Sequence, residues 1–486
     1  MGYKAIDTCG SNPNYYASIQ RIDNVEPIEG SDFLVKTTVC GRTVVVSKKF
    51  YGKGSIVVYF PHECVICEEF LSANNLYDLH NYKKNRNSRD VDAILHEMSK
   101  ETDKVKKVEL ANKARSMCGY FDASGRVKTR KIRGVHSEGF IIYTGAITAM
   151  DSIFSVVDWE NHIGMKFDTL NATQVCWKYI NRQEAHLLSL KPKQTFYQKA
   201  MKKVQRNANL VDNQFRLHYD TSHLAEFIGK VNPYDDVAIT VKVDGSACCV
   251  SNILVNKKLN IFEKFARKIG FNVKDQDYHV VYSSHHIIKS LEINPGATLG
   301  FYGIDIWEPV KNLIGKYLTK GMSIYGEIVG YIEGTNQMIQ PDRDYGCKVG
   351  EWKFMPYRIT ETDKNGVVTE WPMSKVYDFT QTLLLDYPEL FGKILVPKLL
   401  YLGKFCDLYT DIPVDNNWST NVLNRMKEDT TLLGMELDEP MCKIAGPREG
   451  VVVRVGNDAY KLKTQRHLAL ESERADKGDV DIESLN

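Results

Sequence analysis

Two kinds of apolar periodicity divide the chain. From Tyr15 to about Gly145, short runs alternate apolar and polar residues: YASIQRIDNV, FLVKTTVCGRTVVVS, SIVVYF, RVKTRKIRGV and EGFIIYTG. A period of two puts the apolar side chains on one face of a strand, and several short strands separated by turns predict a small all-β barrel. A polar stretch from about 72 to 118 interrupts the barrel and predicts a helical or mobile insertion. From about 151 to 212 the pattern becomes helix-like and then basic, as in SLKPKQTFYQKAMKKVQRNANL, which predicts a connector. Beyond 213, strands and helices mix without regular alternation, predicting an α+β rather than a doubly wound α/β domain.

Composition narrows the possibilities by exclusion. The 486 residues are enough for several separate cores. A net charge of +2 leaves no global field to draw the protein onto nucleic acid or membrane, so a basic binding surface has to be local. No apolar run approaches the length of a membrane span, and MGYKAIDTCG has no apolar signal core, so a cytoplasmic protein is expected. The 11 cysteines then read as reduced thiols. Cys64 and Cys67 form a CxxC beside His62, but a zinc site needs a second matched pair and the next cysteine is the isolated Cys118. In GRVKTRKIRG, Arg126, Lys128 and Arg130 alternate onto one strand face. They suit a phosphate-tracking stripe and a solvated outer face equally well.

The stretch ITVKVDGSACCV sets a lysine inside an apolar run. In a strand, Thr240, Lys242 and Asp244 share one face, and Ile239, Val241 and Val243 share the other. An amine beside fixed charges on a buried strand can be activated as a nucleophile, and Gly245 allows a close backbone approach. A solvated Lys–Asp pair on an edge strand explains these residues as well. Four further stretches carry functional side chains on short strands: Glu327 in SIYGEIVGY, Tyr357 in KFMPYRIT, Glu449 in PREGVVVRVG, and Lys461 with Lys463 on one face of AYKLKT.

In that order these residues resemble the covalent nucleotidyltransferases, the superfamily of ATP-dependent ligases and mRNA capping enzymes. Residues 213 to 486 resemble RNA ligases, notably in FRLHYDTSHL, YGEIVGY, DYGC, REGVVVR, and YKLK followed by DKGDVDIES. Residues 15 to 145 resemble the N-terminal OB domain of the fifth RNA ligase family, in ASIQRIDNVEPIEGSDFLVKTTVCG, GSIVVYF and RVKTRKIRG. The resemblance implies a multidomain chain: an all-β OB-fold barrel over 12–150 that binds nucleic acid, a basic helical connector over 151–212, and an α+β adenylyltransferase domain over 213–486, of the nucleotidyltransferase (ATP-grasp-like) ligase type.

It also implies residue roles. Lys242 would attack the α-phosphate of ATP; Asp244 and Glu449 would hold water bound to Mg²⁺ or Mn²⁺; Glu327 would contact the ribose. Tyr357 would stack on adenine, and Lys461 and Lys463 would neutralise the transferring phosphate. Arg126, Lys128 and Arg130 would touch RNA, the partner whose 3′-OH and 5′-phosphate ends are joined by a monomeric enzyme with no membrane contact. One position departs from the family pattern. His285, in VVYSSHHIIK, stands where an arginine engages the nucleotide and the RNA end, and a mostly neutral imidazole cannot make the bidentate fork of Arg. Arg267 is a possible substitute. The competing expectations are an ATP-dependent DNA ligase, disfavoured by the short stretch after Lys463, and a non-catalytic nucleic-acid-binding protein with a degenerate ligase fold, favoured by His285.

Overall fold

The computed structural model describes residues 6–190, 209–257, 259, 261–294 and 299–479. The basic run 191–208 and the end of DKGDVDIES lie outside the described residues. The chain divides into two units: Met1–Asn181 with Leu468–Lys477, and Arg182–His467 with Gly478–Asn486.

The first unit is built on an antiparallel sheet of β1 (Ala17–Pro27), β2 (Leu34–Val39), β3 (Arg42–Ser47), β4 (Ile56–Phe60) and β5 (Phe140–Tyr143), in the order β3-β2-β1-β4-β5. Strict alternation of buried and half-buried residues in β2 and β3 matches their sequence pattern. Cys40 and Gly41 between them both take positive φ, the geometry that follows the twist of a two-residue hairpin. The sheet curls, and the Glu138 amide donates to the Thr43 carbonyl at 2.8 Å. Inside lie Ile19, Val58, Phe60, Phe70, Phe140 and Phe167. The polar stretch after 72 forms two helices, α1 (Ser88–Lys100) and α2 (Lys104–Ser116), packed through Val91, Ile94 and Ala114. Asp103 caps α2 by accepting from the Val105 amide.

Two segments differ from the sequence expectation. RVKTRKIRG is not one strand: Arg126 makes an isolated bridge to Val65, and only Arg130–Ile132 pairs, with Val135–Ser137. Between 151 and 178, short helical turns and strands replace the expected connector helix, because Phe167, Leu170, Val175 and Cys176 alternate into the first unit's core. Lys166–Phe167 pairs with β1 and Cys176–Lys178 with Cys64–Ile66; among the described residues of the expected connector, the regular α-helix is Arg182–Leu190.

The second unit contains two five-stranded sheets. Its strands are β6 (Ser222–His223), β7 (Asp236–Lys242), β8 (Ser246–Asn256), β9 (Gln276–Ser283), β10 (Met322–Gly330), β11 (Trp352–Thr362), β12 (Val368–Glu370), β13 (Leu399–Lys404), β14 (Gly450–Val455) and β15 (Asp458–Lys463). One sheet runs β6-β15-β14-β7-β13, the other β9-β8-β10-β11-β12. Its helices include α3 (Ile261–Lys268), α4 (Met373–Asp386), α5 (Trp418–Glu428) and α6 (Gln465–Lys477), the last of which belongs from Leu468 onward to the first unit. Val237, Ile239, Val451, Val453 and Leu462 pack in one cluster with Trp418, Val422 and Met426 of α5, so one face of the lysine-bearing sheet is core.

Candidate active site

Strand register alone brings three lysines onto the other face of that sheet. Lys242 on β7 lies opposite Gly450 on β14, which in turn lies opposite Lys463 on β15; Thr240, Val452 and Lys461 form the next row. Residues directly opposite across strands share a face, as do residues two apart along one strand. Gly450 permits the close pairing, because a Cβ there would sit 2.1 Å from the Leu462 carbonyl oxygen and its φ is +154°.

Glu449, the residue before Gly450, is buried among these cations. Its Oε1 lies 2.8 Å from Lys242 Nζ and 3.3 Å from Lys463 Nζ. Burial would raise its carboxyl, but the ammoniums of Lys242 and Lys463, with His467, outweigh that and hold it down to about 2. Lys461 is pushed below the usual lysine range, first by burial and then by the like charges of Lys463 and Lys242. Oε2 of Glu449 is buried with no hydrogen-bond partner, so the site keeps one strong acceptor in reserve. Among the described residues, no group of three or more His, Cys, Asp or Glu is arranged to hold a metal ion.

Asp244 stands differently from the sequence expectation. Strand β7 ends at Lys242, so Asp244 belongs to the connection into β8 rather than to the lysine's strand face. Its amide donates to the Tyr345 hydroxyl at 2.7 Å, and its Oδ2 accepts from Arg343 Nε at 3.0 Å. Arg343 is buried and also donates through Nη2 to the Pro447 carbonyl at 2.7 Å, tying the KVDG connection to the loop that carries Glu449. Gly245 is needed for packing: a Cβ would meet the Ile328 carbonyl oxygen at 2.7 Å and Glu327 Cβ at 2.8 Å.

Lys242, Glu327 and Tyr357 line one cavity, together with Val452 and two residues the sequence reading did not single out, His218 and Arg454. Tyr357 is held at both ends. Its hydroxyl is 3.0 Å from His218 Nδ1, and its carbonyl accepts from Arg454 Nη2 at 2.8 Å. Burial, then the nearby His285, pushes His218 down to about 3, so the ring is neutral. His285 stacks on His286 with ring centroids 4.2 Å apart, meets His218 edge-on at 5.6 Å, and lies 3.6 Å from Asp220. Through His218, which lines the cavity, His285 is in contact with the cavity wall. Arg267 is exposed on α3 and lies 3.6 Å from Asp275. The signal for His218 was present in FRLHYDTSHL; nothing local marked Arg343, whose partner lies 99 positions away.

Of the three basic residues expected at the nucleic-acid surface, all in the first unit, only one is exposed. The Arg126 side chain is 0% exposed, with Nε and Nη2 on Glu63 at 2.7 and 2.6 Å and Nη1 on Asp476 at 3.0 Å. Lys128 is paired with Asp122 and Asp476 at 2.9 and 2.8 Å. Arg130 is on the surface, as are Lys131 and Arg133 of the same hairpin.

Lys242, Glu327 and Tyr357 thus stand around one cavity in a multidomain α/β architecture. Among solved structures, the chain is similar to Naegleria gruberi RNA ligase. A variant of it with ATP and Mn matches at a TM-score of 0.50 and 14% identity, over 93% of this chain and 98% of that one. An apo variant gives 0.49 and 14% over 94% and 98%, and the ligase with PPi gives 0.48 and 13% over 94% and 99%. At such identity the likeness is one of fold. No protein-family model and no curated protein matches the chain.

Proposed function

We propose that this protein is an ATP-dependent RNA ligase working through a lysine-AMP intermediate, in RNA repair. The observation that carries the reading is the Lys242–Glu449–Lys463 cluster opening on the cavity lined by Glu327 and Tyr357. The structurally similar Naegleria gruberi RNA ligase, solved with ATP and Mn, supports it.

Tyr357, fixed at its hydroxyl and its carbonyl, offers its ring to the adenine, and Glu327 reaches the ribose. Lys242 Nζ attacks the α-phosphorus while the bond to the β-phosphate oxygen breaks and pyrophosphate leaves with that electron pair. In the ion pair the amine is protonated, so Glu449 and Lys242 must separate, or the proton must pass on, before attack. Lys461 and Lys463 neutralise the phosphate as charge moves across it, the main contribution a protein makes to phosphoryl transfer. Mg²⁺ or Mn²⁺, held through water by Glu449 Oε2, would shield phosphate charge; Asp244, with one oxygen already on Arg343, contributes the other. An RNA 5′-phosphate oxygen then displaces Lys242 from the AMP phosphorus, and an RNA 3′-OH attacks the adenylated end, releasing AMP. The curled sheet of the first unit acts as an OB-type RNA-binding domain.

Incubation with α-labelled ATP and Mg²⁺, followed by nicks with RNA or DNA on either side, tests the proposal. A label that survives denaturation and passes to a 5′-phosphorylated RNA end is expected. Absence of any covalent label would reduce the protein to a binding module, and transfer confined to DNA would make it a DNA ligase.

A further inference from the structure

The hairpin joining β8 to β9 carries α3 (Ile261–Lys268), and no residue of that helix is buried. Ile261 and Phe262 are 82% and 84% exposed, Phe265 62%, Ile269 57% and Phe271 67%. At about 100° per residue, Ile261, Phe262, Phe265 and Ala266 with Ile269 fall on one side, while Glu263, Lys264, Arg267 and Lys268 fall on the other. The helix is well terminated. Gly270 takes φ +93°, the Phe271 amide donates to the Ala266 carbonyl at 3.0 Å, and the Gly270 amide donates to the Arg267 carbonyl at 3.2 Å. Lys257 pairs with Glu263 at its start.

A helix this short is marginal in water unless an apolar face is covered, and among the described residues this face stays mostly exposed. Single exposed apolar residues need no explanation, but a continuous stripe of isoleucine and phenylalanine does. We infer that α3 is an interfacial helix that lays Ile261, Phe262, Phe265 and Ile269 into an anionic lipid surface. The charges decide the partner. Lys264, Arg267, Lys268 and Lys274, all exposed, stand against Glu263 and Asp275, so the flanks of the stripe are net positive. Aliphatic and aromatic side chains on one side with cations on the other fit acyl chains below anionic headgroups. RNA would meet the cations but has nothing to receive the two isoleucines. No helix among the described residues is long and apolar enough to cross a membrane, so the contact lies in the plane of the surface.

The test is sedimentation of the full-length protein with phosphatidylcholine vesicles with and without phosphatidylserine, at low and high salt, beside the Phe262→Glu/Phe265→Glu double variant. Expected are at least about tenfold stronger binding to the anionic vesicles, weakening with salt, and at least about tenfold loss in the variant. The substituted side chains are exposed, so thermal unfolding of the variant should match that of the parent. If it does not, Lys264→Glu/Lys268→Glu replaces it, and should lose the preference for anionic vesicles while the apolar face stays intact. Equal binding by parent and variant, no preference for anionic lipid, or a variant that alters only self-association or RNA binding overturns the inference. None of these readouts depends on ligase activity.

Discussion

The two units each hold a set of three basic residues, Lys242, Lys461 and Lys463 brought together by strand register and Arg126, Lys128 and Arg130 along a stretch that is not one strand, and the two sets meet opposite environments. Around Lys242, Lys461 and Lys463, Glu449 sits between two ammoniums and, with Asp220, near the third, so three cations meet two carboxylates. Around Arg126 and Lys128, three carboxylates, Glu63, Asp122 and Asp476, take up two cations. The first arrangement can receive an anion; the second closes on itself. The difference lies in the carboxylates each set meets, several of them distant in sequence, as Glu449 is from Lys242 and Asp476 from Arg126.

The largest effect expected is at Lys242. Lys242→Ala should lose the covalent AMP adduct entirely while the protein stays folded, measured by gel labelling beside a melting curve. Labelling at the parent level would break the comparison at its centre. Next is Glu449→Ala, which removes the carboxylate that pairs with both Lys242 and Lys463 and should slow adenylation at least about a hundredfold, with Glu449→Gln partly active. A loss under about tenfold, roughly 1.4 kcal/mol, would show that the cluster needs no such counter-charge.

In the first unit the same kind of substitution should act on stability. Arg126→Ala strands Glu63 against a buried gap and should cost about 3 kcal/mol, read from denaturant unfolding. An Arg126→Ala protein as stable as the parent but deficient in RNA binding would restore the phosphate-tracking stripe. His218 gives a smaller, pH-dependent effect in the second unit. Its folded pKa, about 3, lies below the ordinary 6.5, so the unfolded chain takes the proton first as pH falls. Stability should drop by up to about 1.4 kcal/mol per pH unit from 6.5 downward, until the folded form also protonates near 3. His218→Gln should flatten that slope; an unchanged slope would mean that the ring titrates freely.

How much of this the sequence showed follows from the range of each interaction. The sheet strands of the first unit and the lysine-bearing strands were legible because alternation is local, as in LVKTTV and GVVVRV. The stretch 151–178 was misread because its short apolar pairs, such as Phe167 with Leu170, fit a helix as well as they fit strands completing another sheet. Asp244 was assigned to the lysine's face on the assumption that the strand continues, whereas Arg343 and Tyr345 draw it into a connection. A search for long apolar runs passes over α3, whose pattern is amphipathic over only eight residues.

The smallest effect sharpens the comparison most. Arg130, exposed at the start of a short hairpin with Lys131 and Arg133, is the member of its set not consumed by the Glu63, Asp122 and Asp476 network. Arg133 and Gly134 turn that hairpin with φ of +49° and +82°. A cation on such a hairpin gives up little stability when removed, within about 0.5 kcal/mol. If the first unit contacts RNA, a phosphate-bound arginine there contributes close to one unit to the dependence of log affinity on log salt. Arg130→Ala should therefore leave the melting curve in place, weaken RNA binding a few-fold at moderate salt, and reduce the salt slope by about one. Lys128→Ala, by contrast, should disturb the internal ion pairs and leave the slope alone. A Lys128→Ala protein with the reduced slope, beside an Arg130→Ala protein without it, would place the RNA on the buried network and reverse the contrast between the two basic sets.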